Sequence, residues 1–122
     1  MAIYLWINAA LYLILAIYCS LRLEGSARAL GYSALSSSGH SEYLVIYGGL
    51  QVGLAVFFAV LARNQDWQRL GLVFALCLYA PIVLVRIASI LHYWPVQKLT
   101  LGVAVLETVL LVAAAALWWT HR

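Results

Sequence analysis

Arg86 stands seven residues into "APIVLVRIASILHYW", residues 80–94, an otherwise apolar stretch. An unpaired charge at membrane depth costs ~2.5–3.5 kcal/mol on insertion scales, so such a residue demands a partner. Two carboxylates are within reach of helical neighbours: Glu107, in the run that follows, and Glu42, in the run before. Tyr47, Gln51, Tyr79 and Ser89 add hydrogen-bonding groups to the same set. A bidentate Arg–carboxylate pair is the geometry that best offsets desolvation. This set admits three chemistries: a structural pin between helices, an anchor for an anionic head group, or acid/base work by Glu107 or Glu42. His92 reads as an interfacial residue, and His40 and His121 have no partner spacing. No HExxH, Cys/His cluster or second carboxylate arrangement points to a metal, and no GxSxG motif points to a nucleophile. No cofactor is implied.

The elements that position these residues follow from composition. The chain has 122 residues, 66% hydrophobic and 9% charged, where soluble domains carry roughly 25% charged residues. A soluble domain of this size buries only about two-thirds of its surface, too little to hide so much apolar area. The expectation is a single integral membrane domain over residues 1–122. A span needs ~20 mainly apolar residues, and four runs qualify, at about 2–21, 42–62, 68–92 and 97–119. They lack the alternation of barrel strands. The fold expected is all-α, a four-helix up-down bundle. Within the long connection 22–41, "SARALGYSAL" could form a short interfacial helix, and Ser41 is the expected N-cap of the second run, with Glu42 in its first turn. Residues 1–7 have no basic segment, so the first run reads as a span rather than a leader.

Helical rise places Arg86 ~9 Å and Glu107 ~15 Å from the side carrying the 22–41 and 93–96 connections, with Tyr47 ~7 Å deeper than Glu42. Tyr79, Ile82, Arg86, Ser89 and Tyr93 share one stripe, and Tyr43, Tyr47 and Gln51 another. Thr100, Val103 and Glu107 form a third, and the first run offers Tyr4, Asn8 and Tyr12. Converging, they predict a polar pocket open toward the 22–41 side. Tyr18, Tyr43, Tyr93 and Trp94 on that side, and Trp6, Trp67, Trp118 and Trp119 on the other, read as interfacial belts. The basic residues tie: Arg63, Arg69 and Arg122 on the terminal side against Arg22, Arg28 and Lys98. The short basic 63–69 turn favours termini in the cytoplasm. A net charge of +3, scattered over connections, does not suggest nucleic acid.

Packing has its own signals. Gly49 and Gly53 form GxxxG, expected to seat a helix inside the bundle, with contact to another subunit as the alternative. Pro81 is expected to kink the third run one turn before Arg86, freeing the Cys77 carbonyl. Cys19 and Cys77 lie inside apolar runs and read as small packing residues.

At "EYLVIYGGLQVGLAVFF" the chain resembles a bacterial family of small four-helix membrane proteins, domain of unknown function 4345. The likeness rests on Glu42, Tyr47-Gly48-Gly49-Leu50, Gly53 and Arg63, then Arg86, Ser89 and Glu107. It covers most of the chain from residue 42. Two positions depart from that pattern: Tyr43-Leu44, where the family often has a basic residue, and Val85, where it has glycine. The resemblance implies a four-helix fold in the bacterial inner membrane, singles out Glu42, Tyr47, Arg86 and Glu107, and implies no activity. A remoter likeness to DoxX-type membrane proteins is one of architecture alone.

Three functions compete. The favoured one is non-catalytic: binding of an amphiphile (lipid, quinone or isoprenoid), or service as an accessory subunit of a membrane complex or homo-oligomer. The second is a lipid-modifying enzyme with Glu107 or Glu42 as base and Arg86 as head-group anchor. The third is a small proton-coupled transporter, although residues 1–62 and 68–122 show no inverted repeat.

Overall fold

The structure, a computed structural model, describes residues 1–33 and 35–121, and among these it is all helical. Arg122, counted above among the basic residues, and Ala34 of "SARALGYSAL" lie outside the described residues. Four helices are long and apolar enough to cross a membrane: α1 (Ala2–Leu21), α3 (Ser37–Arg63), α4 (Gln68–His92) and α5 (Lys98–Thr120). A seven-residue helix, α2 (Leu23–Ala29), follows α1 directly.

Seven of the eight ends of these helices agree with the apolar runs to within one residue, and one does not. Helix α3 begins at Ser37, five residues before its expected start, and its cap is Ser36 rather than Ser41. Ser36 is extended and its Oγ accepts from the Gly39 amide at 3.1 Å, satisfying one of the free N–H groups of the first turn. The polar "SSGHSE" segment is therefore helical, continuing the apolar run outward. The short helix of the connection likewise lies at Leu23–Ala29, earlier than "SARALGYSAL" suggests.

Helix α3 is not uniform. Residues Val45–Leu50 form a π-helical turn, which inserts a residue into the ladder and rotates everything after it relative to an ideal α-helix. Gln51 Nε2 donates to the Ile46 carbonyl at 3.2 Å and closes that turn from the side. Pro81 sits at an exposed position in α4, which continues as helix on either side of it.

The helices pack as two pairs, α1 against α3 and α4 against α5. The pairs share one apolar core, built from Tyr4, Leu5, Phe58, Leu72, Tyr79 and Leu110 with small residues between them. Close approach depends on glycine at two points. A Cβ on Gly48 would lie 2.7 Å from Ser20 Oγ, and one on Gly71 would lie 2.8 Å from a Leu5 methyl. Gly49 and Gly53 do neither: a Cβ on each would meet nothing within 4 Å, and both are exposed. The expected GxxxG seat inside the molecule is therefore corrected; Gly48, one residue away, faces the neighbouring helix.

The shared core occupies only part of the length. Between Leu84 and Val109 no described residue is buried, and Leu84 and Leu91 are 70% and 76% exposed. On the other pair, the corresponding region is closed by α2. Ser26, fully buried, shares a 2.8 Å hydrogen bond with the Tyr43 hydroxyl, and Cys19, Ala27 and Tyr43 form a second small core. Tyr43 is thus buried under α2 and is not the interfacial-belt residue its position suggested. Cys19 is buried as expected, but Cys77 is exposed.

Candidate functional site

Arg86 and Glu107 are brought together by the α4–α5 pair. The short connection 93–97 turns the chain back, so the two helices present side chains in opposite senses. A helical Cα–Cβ bond leans toward the N-terminus of its own helix. Arg86 therefore leans down α4, away from the 93–97 connection, while Glu107 leans up α5 toward it. Helical rise sets their Cα atoms ~5 Å apart in depth, and the opposed lean closes that gap. The Nε atom of Arg86 donates to Glu107 Oε1 at 2.8 Å, and Nη2 donates to Oε2 at 3.4 Å. This is the side-on fork that guanidinium and carboxylate planes favour. The side chains are 34% and 14% exposed, so the carboxylate is the sheltered member.

Of the two carboxylates in reach of Arg86, only Glu107 pairs with it. Glu42 is exposed near the start of α3 and makes no ion pair among the described residues. The extra turn at the beginning of α3 places it on the polar overhang, away from the apolar run.

The remaining predicted residues divide into three groups. Tyr79 turns away from Arg86 into the core, 1% exposed. Its hydroxyl donates to Asn8 Oδ1 and accepts from Tyr12 at 2.9 Å. Asn8 is completely buried and spends its Nδ2 on the Tyr4 carbonyl at 2.9 Å, while Tyr4 donates to the Leu110 carbonyl at 2.7 Å. These bonds tie α1 to both α4 and α5. The i, i+4 spacing of Tyr4, Asn8 and Tyr12 signalled a polar face on the first run, but nothing in the sequence gave Tyr79 as its partner. Leu110, whose carbonyl accepts from Tyr4, follows Glu107 by three residues on α5, so this network reaches to within about one helical turn of the ion pair.

Tyr47 belongs to an aromatic cluster beside α2. It stacks on Tyr43 with ring centres 4.5 Å apart, and its hydroxyl shares a 3.1 Å hydrogen bond with Tyr32. Gln51 is buried, and its Oε1 has no hydrogen-bond partner among the described residues. Ser89 is turned back on its own helix, donating to the Arg86 carbonyl at 2.9 Å, and so offers its proton to nothing else.

The charge inventory of the four helices is short. Apart from Glu42 in the second turn of α3 and residues at the helix ends, Arg86 and Glu107 are the only Asp, Glu, Lys or Arg within them. Among the described residues no group of His, Cys, Asp and Glu is arranged to hold a metal. Two surface concavities lie elsewhere: one of about 510 Å³ beside Arg63, Asn64 and Trp67, and one of about 110 Å³ beside Glu24, Arg28 and His40. Chemically, the pair is a neutral dipole whose negative end is sheltered and whose positive end is accessible. No family model, curated protein or solved structure matches the chain.

Proposed function

We propose that the chain is an integral membrane protein, its four long helices forming an up-down bundle, that binds an amphiphile at Arg86 without transforming it. The observation that carries this reading is the unspent donor capacity of Arg86. A guanidinium has five N–H donors; Glu107 takes two, and none of the other three has a partner among the described residues. In lipid, unsatisfied donors of a charged group call for an acceptor, and polar groups at such depth mark binding sites by default. The stretch of α4 and α5 around Arg86, residues 84–109, contributes nothing to the buried core, so a tail can lie along exposed apolar positions such as Val85 and Leu106 while the head meets Arg86.

The enzyme reading is weaker on geometry. Both oxygens of Glu107 face the guanidinium, which suits a held carboxylate better than a base that must reach a substrate proton. Docking on a larger membrane complex uses the same open half and differs in its occupant. The basic 63–69 turn favours termini in the cytoplasm of a bacterial inner membrane.

Native mass spectrometry of protein released from membranes tests the proposal. The wild type should retain an amphiphile that Arg86→Ala loses. A wild type carrying neither an amphiphile nor a partner protein would overturn it.

A further inference from the structure

We infer that the head group received at Arg86 is electrically neutral and accepts hydrogen bonds through a carbonyl, as in a ketone, an ester or an amide, rather than being a phosphate or carboxylate. This rests on the amphiphile reading above and specifies the ligand's chemistry.

The inference comes from charge balance. Apart from Glu42, exposed in the second turn of α3, and residues at the helix ends, Arg86 and Glu107 are the whole inventory of Asp, Glu, Lys and Arg within the four long helices, and they are joined at 2.8 Å. The site is already neutral before any ligand arrives. An anion beside the free Nη1 edge would lie ~4 Å from the guanidinium and ~7 Å from the carboxylate, so by the inverse-distance law roughly half of the attraction is cancelled. It would also bring a third charge into an apolar surround that has no cation left to compensate it, which is the costly case for burial.

A neutral carbonyl has the complementary character. It supplies lone pairs to the three unspent N–H donors and adds no net charge. The sheltered carboxylate, 14% exposed against 34% for Arg86, keeps its fork while the outer edge of the guanidinium takes the ligand. Neighbouring groups do not change the sign. Ser89 is turned back on its own helix, its hydroxyl donating to the Arg86 carbonyl.

Two probes of equal chain length separate the possibilities: dodecan-2-one, neutral with one carbonyl, and dodecanoate, ionised at mildly alkaline pH. Binding of each to the detergent-solubilised full chain is measured by native mass spectrometry and by competition. The expected result is a preference of about ten-fold or more for the ketone in the wild type, lost in Arg86→Ala. Glu107→Gln leaves the arginine uncompensated and should invert the preference toward dodecanoate. Arg86-dependent binding of dodecanoate equal to or tighter than the ketone would overturn this inference while leaving the amphiphile reading standing. A Glu107→Gln protein that folds and still prefers the ketone would also overturn it. Binding of neither probe in an Arg86-dependent way would remove both. The wild-type comparison needs no variant, so the test survives a misfolded Glu107→Gln.

Discussion

Gly71 and Leu5 meet with no room for a methyl group between them: a Cβ on Gly71 would lie 2.8 Å from Cδ2 and 2.9 Å from Cδ1 of Leu5. Leu5 is wholly buried, so its methyls can move only by disturbing the shared core. Gly71→Ala should therefore lower stability by ~1–3 kcal/mol, the range for overpacking, despite alanine's better helix propensity. Gly53→Ala, into open space, should be neutral or stabilising by up to ~1 kcal/mol. Thermal unfolding in detergent, followed by circular dichroism, reads both; equal effects would contradict the assigned helix faces.

The Tyr79–Asn8 bond makes a second prediction. Tyr79→Phe leaves Asn8 Oδ1 without a donor in a fully buried position, a loss of about 1–3 kcal/mol. Asn8→Ala should cost a similar amount, and the double variant less than the sum. Additivity in that cycle would mean that the two groups do not interact.

The start of α3 gives a sharp contrast between two serines. Ser36→Ala removes the acceptor for the Gly39 amide and should cost ~1 kcal/mol. Ser41 lies inside the helix, so Ser41→Ala should change stability by a few tenths of a kcal/mol at most, as expected for a surface substitution. Denaturant titration of the two variants decides between the cap positions.

For the ion pair, loss of either partner should destabilise by less than the ~3–5 kcal/mol of a fully buried pair, because Arg86 is one-third exposed. The apolar double variant Arg86→Met/Glu107→Leu should recover most of that loss while abolishing amphiphile retention. Recovery of retention along with stability would assign the pair a packing role only.

How much of this was legible in the sequence depends on which physical signal each feature uses. Helix length and apolarity carry the long elements: α4 begins and ends where its run predicts, at Gln68 and His92. Depth along a helix is also countable, which brought Arg86 and Glu107 within reach of each other. Rotation about a helix axis is a different matter. Runs apolar on every side have no hydrophobic stripe to orient them, so Gly48 and Gly49 were indistinguishable until α1 was in place. The π turn at Val45–Leu50 compounds this, since it shifts the angular register that a 3.6-residue template assumes for Gln51 and Gly53. Tyr79 shows the same blindness. Its spacing put it on the stripe of Arg86, whereas its hydroxyl lies in the core with Asn8. The Ser36 cap was obscured because several serines in "SSSGHSE" are equally good candidates by type.

The separation between a packed half and an open half has an evolutionary consequence. Residues 84–109 carry almost none of the burial that holds the helices together, so, the Arg86–Glu107 pair apart, their side chains can drift with little penalty to folding. On the amphiphile reading proposed above, stability and recognition would be written largely in different stretches of one short chain. If Arg86 receives a head group as proposed, new preferences can arise by exchanging Arg86, Glu107 and their exposed neighbours, while Leu5, Phe58, Gly71 and Leu72 stay unchanged.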